Sequence, residues 1–392
     1  MKRIICFLFS SFAACTLNAQ TFIQAYQDRA NQVTQTNITN YLLEFQNLGI
    51  KTTGSANNTA TLNWIKNKYL SYGYSASQIE EDPFTFGSTN SKNLIITKTG
   101  TVYPNKYVII CGHFDSIVGP GVSDNGSGTS IILEAARILK DVPTEYSIKF
   151  IHFSGEEQGL YGSYHYVNSV AYQNGVRQLD IKLVFNIDQV GGKLGNNNTT
   201  IYCDEDQGSP LSNNAASQVV TQELATCTGL YSPLQTDVDP AYASDYMPFE
   251  EKGEVITGFY EFIRSHNEHT IHDTFANVDP AYVYNVGKAA VGALQHFAVA
   301  TTTTLGVNDM NSQKSLESTV KIYPNPVKDI VNLDLPHDIK NFSFEITDIL
   351  GHSLLKKSNE TKINVSALEK GAYIGILKSG DQTVVRKILI AK

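Results

Sequence analysis

The chain contains 392 residues with a formal net charge of −8, and 42% of its residues are hydrophobic. This length accommodates two or three domains and a sizeable apolar core. The excess of acid is mild and no basic cluster of five or more residues occurs, which argues against a nucleic-acid partner.

The N-terminus has the residue order of a secretory signal peptide. Lys2 and Arg3 precede an apolar run over residues 4–14, and the small residue Ala19 stands at the expected cleavage position. The apolar run is too short to span a bilayer, which disfavours a membrane anchor. We therefore predict a signal peptide over residues 1–19, export from the cytoplasm, and no transmembrane segment.

Apolar periodicity divides the following residues into alternating helices and strands. The predicted helices cover residues 38–48, 57–72, 127–141, 160–173, 211–227 and 281–299. The predicted strands cover residues 84–86, 94–97, 107–111, 147–153, 181–187, 199–203 and 255–260. This alternation predicts an α/β domain over residues 20–300, with a mostly parallel central sheet and helices on both faces.

Cysteines are sparse outside the predicted signal peptide. Cys111 lies in a predicted buried strand, where a thiol is inert. Cys203 and Cys227 are candidates for a disulfide in an exported protein, and the sequence leaves that pairing open.

The composition and the apolar periodicity of the chain change after residue 300. Residues 301–319 are polar and without periodicity, which predicts a linker. Residues 320–392 form short alternating segments separated by turn residues, which predicts a small all-β, sandwich-like domain. This domain contains no cluster of His, Cys, Asp and Glu that would indicate a catalytic site.

The stretch YVIICGHFDSIVGPGVSDNGSG, residues 107–128, is the most informative part of the chain. An apolar run typical of a strand buried on both faces ends at Gly112, directly before His113 and Asp115. A glycine-rich loop then leads to Asp124 and into a helix. Because ligands bind at the carboxyl ends of parallel strands, this arrangement predicts a metal site.

Other segments end at the same edge of a parallel sheet. They contribute Glu156 with Glu157, Asp188, and the HTIHDT stretch at residues 269–274. Two neutral imidazoles and three carboxylates suit two Zn²⁺ ions that share one carboxylate. Three carboxylates and a bridging hydroxide balance the charge of two divalent cations, whereas four acids without metal would repel one another.

Each of these residues also has a simpler interpretation. A single Asp or His at a strand end commonly caps a turn, and adjacent acids such as Glu156 and Glu157 are favoured at a helix N-terminus. The glycines are compatible with a tight turn alone. The order of all five segments along alternating strands is what favours a metal site.

These segments resemble those of the M28 family of zinc aminopeptidases, of the bacterial leucyl aminopeptidase type. The matching motifs are GHFDS (112–116), SDNGSG (123–128), SGEEQGLYGS (154–163), NIDQVG (186–191) and HTIHDTFANVD (269–279). The resemblance implies that the metal ligands are His113, Asp124, Glu157, Asp188 and His269, with Asp124 bridging two zinc ions.

The same resemblance implies roles for neighbouring residues. Glu156 matches the general base, which takes a proton from the water that becomes the attacking hydroxide and later gives this proton to the leaving amine. Asp115 is expected to orient His113, and Asp273 to do similar work near His269. Where many members of the family carry Ser-Asp-His, this chain has Tyr246, so Tyr246 or the nearby Tyr242 is expected to hold the oxyanion unless it is only a packing residue.

The C-terminal segment has its own resemblance. VKIYPNPVKDIVNL, ITDILGH, INVSALEKGAYIGIL and VVRKILIAK resemble the type IX secretion C-terminal sorting domain of Bacteroidetes. The resemblance implies passage through the outer membrane by that machinery and removal of the tail. An accessory β-domain that binds carbohydrate or a partner is the alternative.

The predicted function is a secreted or cell-surface two-zinc aminopeptidase with a peptide substrate, in which a bridging hydroxide attacks and Glu156 is the base. A glutaminyl cyclase-like acyltransferase of similar architecture, working with one zinc, is the nearest alternative. A carboxypeptidase or dipeptidase relative and a catalytically inactive surface-binding protein remain open. The five ligand positions favour the hydrolase, and the retained Glu156 argues against an inactive site.

Overall fold

An eight-stranded mixed sheet lies at the centre of the larger of two units in this computed structural model. The structure describes residues 20–302, 320–336, 339–348, 352–379 and 382–391. The two units are Met1–Thr304 and Leu305–Lys392. The predicted signal peptide and residues 303–319 of the predicted linker lie outside the described residues.

The first unit alternates helices with strands, as the sequence predicts. Its helices are α1 Gln24–Ala30, α2 Gln35–Asn47, α3 Ala56–Ser71, α4 Gly128–Leu139, α5 Tyr161–Tyr166, α6 Asn214–Tyr231, α7 Met247–Glu250 and α8 Pro280–Phe297. Its strands are β1 Ile79–Phe86, β2 Thr89–Lys98, β3 Tyr103–His113, β4 Tyr146–Phe153, β5 Tyr172–Gln173, β6 Val176–Arg177, β7 Asp180–Ile187, β8 Thr200–Glu205, β9 Gln235–Pro240 and β10 Ile256–Glu261.

The strand order of the large sheet is β1-β2-β4-β3-β7-β10-β8-β9. The four central strands β4, β3, β7 and β10 are parallel, so their carboxyl ends meet at one edge. Strand β8 pairs with β10 in the antiparallel direction. Strand β9 was not expected, because its residues QTDVDP are polar and lack the apolar alternation of a half-buried strand.

The central strands are buried because helices cover both faces of the sheet. Along β3, Val108 and Ile110 belong to one core cluster, whereas Ile109 and Cys111 belong to another on the opposite face. This explains the unbroken apolar run in the sequence, since successive side chains of a strand point to opposite faces. The predicted α/β class is confirmed.

The described cysteines of the first unit are free and buried: Cys111, Cys203 and Cys227. Cys203 and Cys227 belong to the same core cluster without forming a disulfide. Within the described part of the chain, no helix combines the length and the apolar character needed to cross a membrane.

The second unit is all-β, as predicted. Its strands are β11 Lys321–Tyr323, β12 Ile330–Asp334, β13 Ser343–Thr347, β14 Ser353–Ser358, β15 Lys362–Asn364, β16 Gly371–Ser379 and β17 Gln382–Ile390. They form a three-stranded sheet, β11-β12-β15, and a four-stranded sheet, β14-β13-β16-β17. Val331, Phe344 and Leu377 are among the residues of a core that belongs to this unit alone.

Candidate metal centre

Strand β3 delivers His113 to the carboxyl edge of the parallel sheet. The side chain is 1% exposed, and its Nδ1 lies 3.2 Å from the backbone oxygen of Asp115. The Asp115 carboxylate is farther away, with Oδ1 at 3.6 Å from the same nitrogen. The ring is therefore oriented chiefly by a backbone carbonyl, and its Nε2 is left to face the carboxylates of the site.

The loop between β3 and α4 returns the chain to this edge. Gly121 adopts a left-handed φ of +65°, and a Cβ on Gly128 would lie 2.3 Å from the carbonyl oxygen of Ile187. Only glycine fits so close to β7. The loop brings the Asp124 carboxylate next to the segment that follows β7, where Gln189 donates a hydrogen bond to Asp124 Oδ2 at 2.8 Å.

Two groups of potential ligands meet at Asp124. The first group is His113, Asp124 and Asp188, with His113 Nε2 at 3.0 Å from Asp124 Oδ1 and 3.3 Å from Asp188 Oδ1. The second is Asp124, Glu157 and His269, with His269 Nε2 at 3.2 Å from Asp124 Oδ2 and 2.8 Å from Glu157 Oε2. The structure thus brings together the five side chains that the sequence predicts as ligands, which we call the metal centre.

The donor atoms of the metal centre fit a pair of zinc ions. His113 Nε2, Glu157 Oε2 and Asp188 Oδ1 are buried without a hydrogen bond, although each lies near other donor atoms. Buried polar atoms normally find a partner, so such a cluster calls for one. Two imidazoles and three carboxylates match the ligand preference of zinc, and a shared Asp124 matches a two-ion arrangement.

The acidic pair after β4 divides between two positions. Glu157 belongs to the second ligand group, whereas Glu156 belongs to neither. Glu156 Oε2 lies 4.0 Å from His113 Nε2, and its side chain is 14% exposed. The Asp115 carboxylate accepts hydrogen bonds from the backbone N–H of Glu156 and of Glu157, each at 3.3 Å.

Burial and repulsion from neighbouring carboxylates make the carboxyl groups of Glu156, Glu157 and Asp245 hard to ionise. Burial raises the pKa of Glu156 well above its usual range, and the negative charges of Asp188 and Asp245 add to this effect while His113 opposes it. Burial and the Asp124 charge raise the pKa of Glu157 to about 8. Asp245, which the sequence analysis did not single out, is fully buried, and its pKa is raised to about 7 by burial.

His269 lies on an exposed loop rather than in the core. Its backbone has a left-handed φ of +56°, and its side chain is 52% exposed. Asp273, expected near His269, instead accepts hydrogen bonds from the backbone N–H of Ser123 at 2.7 Å and of Asp124 at 3.0 Å. Asp273 therefore fixes the loop that carries Asp124.

A cavity of about 330 Å³ opens beside the metal centre. Its lining combines Asp124, Glu156, Asp188 and His269 with further residues from β8, β9, β10 and the segments that follow β9 and β10. Those residues are Asp204, Asp239, Tyr242, Ala243, Tyr260 and Arg264. The cavity therefore joins the reactive groups to a separate polar and aromatic wall.

Tyr246 does not line this cavity. Its hydroxyl is fully buried, accepts a hydrogen bond from the Tyr242 backbone N–H at 2.8 Å, and donates to Asp204 Oδ2 at 3.3 Å. Tyr242 is among the lining residues, and its hydroxyl is buried and makes no hydrogen bond within the described residues. Of the two tyrosines considered from the sequence, Tyr242 is the one with a free donor at the site.

Lys51 supports the loop that precedes Asp124, and no sequence signal indicated it. The side chain is fully buried, and its Nζ donates to the carbonyl oxygens of Gly49 and Pro120, each at 2.7 Å. The ammonium also lies 3.8 Å from the centre of the Phe45 ring. Burial lowers the pKa of Lys51 from 10.5 to about 7, an effect that the charge of Asp273 partly offsets.

We expect this lysine to make folding stability depend on pH. Between pH 7 and about 10 the unfolded chain binds the proton that the folded chain has released, so the free energy of unfolding rises with pH. Relative to Lys51→Met, the wild type should gain about 2 kcal/mol between pH 7 and pH 9. Urea unfolding of both proteins in excess zinc measures the difference. The exposed Lys252→Met is the control, and an equal gain in that pair would contradict the prediction.

Comparison with known proteins connects these observations. The model of Peptidase family M28 matches residues 93–294, slightly more than half of the chain, and that of a Secretion system C-terminal sorting domain matches residues 321–391. Aminopeptidase YwaD of Bacillus subtilis is 43% identical over 108 residues, which cover 27% of this chain and 23% of that relative. The chain spans less than a third of the length of the first curated relatives that it matches.

Solved structures share the fold. The LapA aminopeptidase of Legionella pneumophila aligns with a TM-score of 0.62 and 20% identity, covering 76% of this chain and 80% of that one. The glutaminyl cyclase of Porphyromonas gingivalis aligns with a TM-score of 0.55 and 16% identity, covering 67% of this chain and 98% of that one. At these identities the similarity concerns the fold alone.

Both resemblances noted in the sequence are confirmed by the family models. The motifs that contain the metal centre all lie within residues 93–294, and strands β11 to β17 all lie within residues 321–391. The chain therefore belongs to peptidase family M28 and carries a C-terminal secretion-system sorting domain.

Proposed function

We propose that the protein is an exported zinc aminopeptidase that removes N-terminal residues from peptides and holds two zinc ions at the metal centre. The observation that carries this proposal is the meeting of two ligand groups at Asp124, with Glu156 beside them and outside both. Membership of family M28 and the similarity to an aminopeptidase of Bacillus subtilis support it.

The five residues of the metal centre are the proposed ligands, with Asp124 common to both ions. When bound, zinc lowers the pKa of a coordinated water toward ~7 and polarises a carbonyl oxygen. The chain keeps the ligands in place through backbone contacts: Asp273 holds the Asp124 loop, and the Asp115 carbonyl orients His113. Asp115 and Asp273 are thus positioning residues.

Glu156 is the proposed general base. It lines the cavity and is a member of neither ligand group. Its carboxylate is therefore free to accept a proton from the attacking water and to deliver it to the leaving amine. Burial that raises its pKa suits a group that must hold a proton between these two transfers. Asp115 fixes the backbone on which Glu156 stands.

Tyr242 is the proposed hydrogen-bond donor to the substrate carbonyl. Tyr242 lines the cavity and its buried hydroxyl has no hydrogen-bond partner in the described structure, and a donor of this kind stabilises negative charge as it develops on oxygen. We assign no contact with substrate to Tyr246, whose hydroxyl is engaged with Tyr242 and Asp204.

The proposed location is outside the cell or at its surface. The sorting domain implies export by a secretion system, and we infer delivery through the type IX machinery followed by removal of the tail. The N-terminal residues 1–19 would serve the first step, across the inner membrane.

The first test measures metal content and hydrolysis together. We expect purified protein dialysed against dilute zinc to hold about two zinc ions per chain and to hydrolyse leucine p-nitroanilide. A chelator should abolish hydrolysis, and added zinc should restore it. Persistent hydrolysis in metal-free protein would contradict the proposal, as would a zinc-loaded protein that releases no N-terminal residue from any peptide.

A glutaminyl cyclase is the second candidate, because the chain shares its fold with such an enzyme. A cyclase would hold one zinc ion and convert an N-terminal glutamine to a cyclic product without releasing a residue. Peptides beginning with glutamine separate the two activities by mass, since cyclisation releases ammonia and aminopeptidase action releases the free amino acid. Peptides with an acetylated N-terminus test for a carboxypeptidase, which would still cleave them.

A further inference from the structure

The polar and aromatic wall of the cavity includes a buried acidic residue with no cationic partner. Asp204 is 2% exposed and accepts a hydrogen bond from the Tyr246 hydroxyl at 3.3 Å. Within the described part of the chain, no lysine, arginine or histidine pairs with it. Burial raises the pKa of Asp204 well above its usual range, so the empty site holds this group neutral, and a positive charge arriving from outside would pair with it as a carboxylate.

The sheet fixes the separation between Asp204 and the metal centre. Asp204 on β8 lies opposite Gly258 on β10, and Gly258 lies opposite Asn186 on β7. Directly opposite residues share a face, and Asp188 lies on that same face two residues beyond Asn186. Two strand spacings amount to about 10 Å, and the offset of two residues adds about 7 Å along the strand, so the two backbone positions lie about 12 Å apart. Asp204 and the ligand Asp188 therefore border the same cavity from positions two strands apart.

Gly258 leaves space beside the carboxyl group of Asp204. A Cβ at that position would lie 2.5 Å from Asp204 Oδ2, so a larger residue on β10 would displace the carboxylate. The tyrosine side chains that border the cavity supply aromatic surface, with the rings of Tyr242 and Tyr260 centred 4.6 Å apart. An aromatic wall that ends in a carboxylate suits a side chain with an apolar stem and a cationic tip.

The distance distinguishes the two cationic groups of a peptide substrate. The α-nitrogen lies only about 2.5 Å from its own carbonyl carbon, so it stays near the metal centre when that carbonyl is attacked. A lysine ammonium lies about 6 Å from its Cα, and an added hydrogen bond of about 2.8 Å spans most of the remaining separation. Asp204 is thus within reach of the side chain and too distant for the α-amine.

The remaining charges at the cavity are consistent with this assignment. Arg264 also lines the cavity, but its Nε lies 2.6 Å from Glu268 Oε1, which neutralises its charge. Asp239, exposed on β9, adds a further negative charge to the same wall. Apart from the residues assigned to zinc and to proton transfer, the acidic groups that line the cavity are Asp204 and Asp239.

We propose that Asp204 selects substrates whose N-terminal residue is basic, so that the preferred substrates begin with lysine or arginine. This inference rests on the proposed aminopeptidase function, because it assigns the side-chain pocket of that same site. Asp204 would bind the ammonium or guanidinium, and Asp239 would attract it to the pocket.

The decisive measurement uses the wild-type zinc protein and a matched set of p-nitroanilides. We expect kcat/KM for lysine and arginine to exceed that for leucine at least 10-fold. Lysine with an acetylated Nε keeps the stem and loses the charge, and its kcat/KM should fall at least 10-fold below that of lysine. Equal rates for the acetylated and free lysine substrates would overturn the inference while leaving the aminopeptidase proposal intact. Hydrolysis of no anilide would overturn both.

Variants then assign the preference to Asp204. Asp204→Asn retains an acceptor for the Tyr246 hydroxyl, and it should lower the ratio of lysine to leucine kcat/KM at least 10-fold. Asp237→Asn makes the same change on β9 outside the cavity and should keep the wild-type ratio. An unchanged ratio in a folded Asp204→Asn protein would show that the charge is recognised elsewhere. If that variant does not fold, equal rates for the acetylated and free lysine substrates would still overturn the inference.

Discussion

Replacing Glu156 with Gln is expected to lower kcat about 1,000-fold, within the range that general acid–base catalysis contributes. Glutamine keeps the size of the side chain but does not accept the proton that hydrolysis releases. Because Glu156 lies outside both ligand groups, zinc content should stay at about two per chain and KM should change little. The measurement combines steady-state kinetics on leucine p-nitroanilide with metal analysis of the same preparation.

The control is Glu251→Gln, the same change on an exposed side chain that contacts Tyr164 outside the cavity. It should retain the wild-type kcat. Near-normal turnover in Glu156→Gln would remove Glu156 from the role of base. Loss of zinc from that variant would instead indicate that Glu156 is itself a ligand.

Replacing Asp124 with Ala is expected to have the larger effect on metal binding. Its two carboxylate oxygens face different groups, Oδ1 towards His113 and Oδ2 towards His269. Removing this side chain therefore weakens both proposed zinc sites, and we expect fewer than one zinc ion per chain and loss of hydrolysis by at least 1,000-fold. Metal analysis after dialysis against dilute zinc measures the first effect.

His269→Ala provides the matched comparison. His269 belongs to one ligand group only, so this variant should keep about one zinc ion. If Asp124→Ala and His269→Ala lost the same amount of zinc, Asp124 would not be shared between two ions. Circular dichroism of both variants without metal verifies that they remain folded.

The places of four of the five proposed ligands were predictable from the strands that precede them. His113 and Asp188 come directly at or after apolar strands, and parallel strands bring their carboxyl ends to one edge whatever the details of packing. Asp124 and Glu157 lie in short segments tied to those strand ends. The fold class followed from the same alternation of strands and helices.

Residues that depend on strand order and on side-chain direction were not predictable in this way. Asp204 lies opposite Gly258 because β8 pairs with β10 in the antiparallel direction, which the periodicity of β8 does not reveal. Lys51 supports a loop that lies about 70 residues further along the chain. The choice between Tyr242 and Tyr246 depends on a turn in which one backbone N–H bonds to the other hydroxyl.

The Asp115 carboxylate has a consequence for how the site tolerates change. It accepts hydrogen bonds from Thr53 at 3.0 Å and from two successive backbone amides of the acidic pair. The Asp115 carboxylate therefore holds the backbone of both the proposed ligand Glu157 and the proposed base Glu156. A substitution that moves the Asp115 carboxylate would displace both residues together. Metal affinity and turnover would then change in the same variant, and a substitution at this position would not alter one without the other.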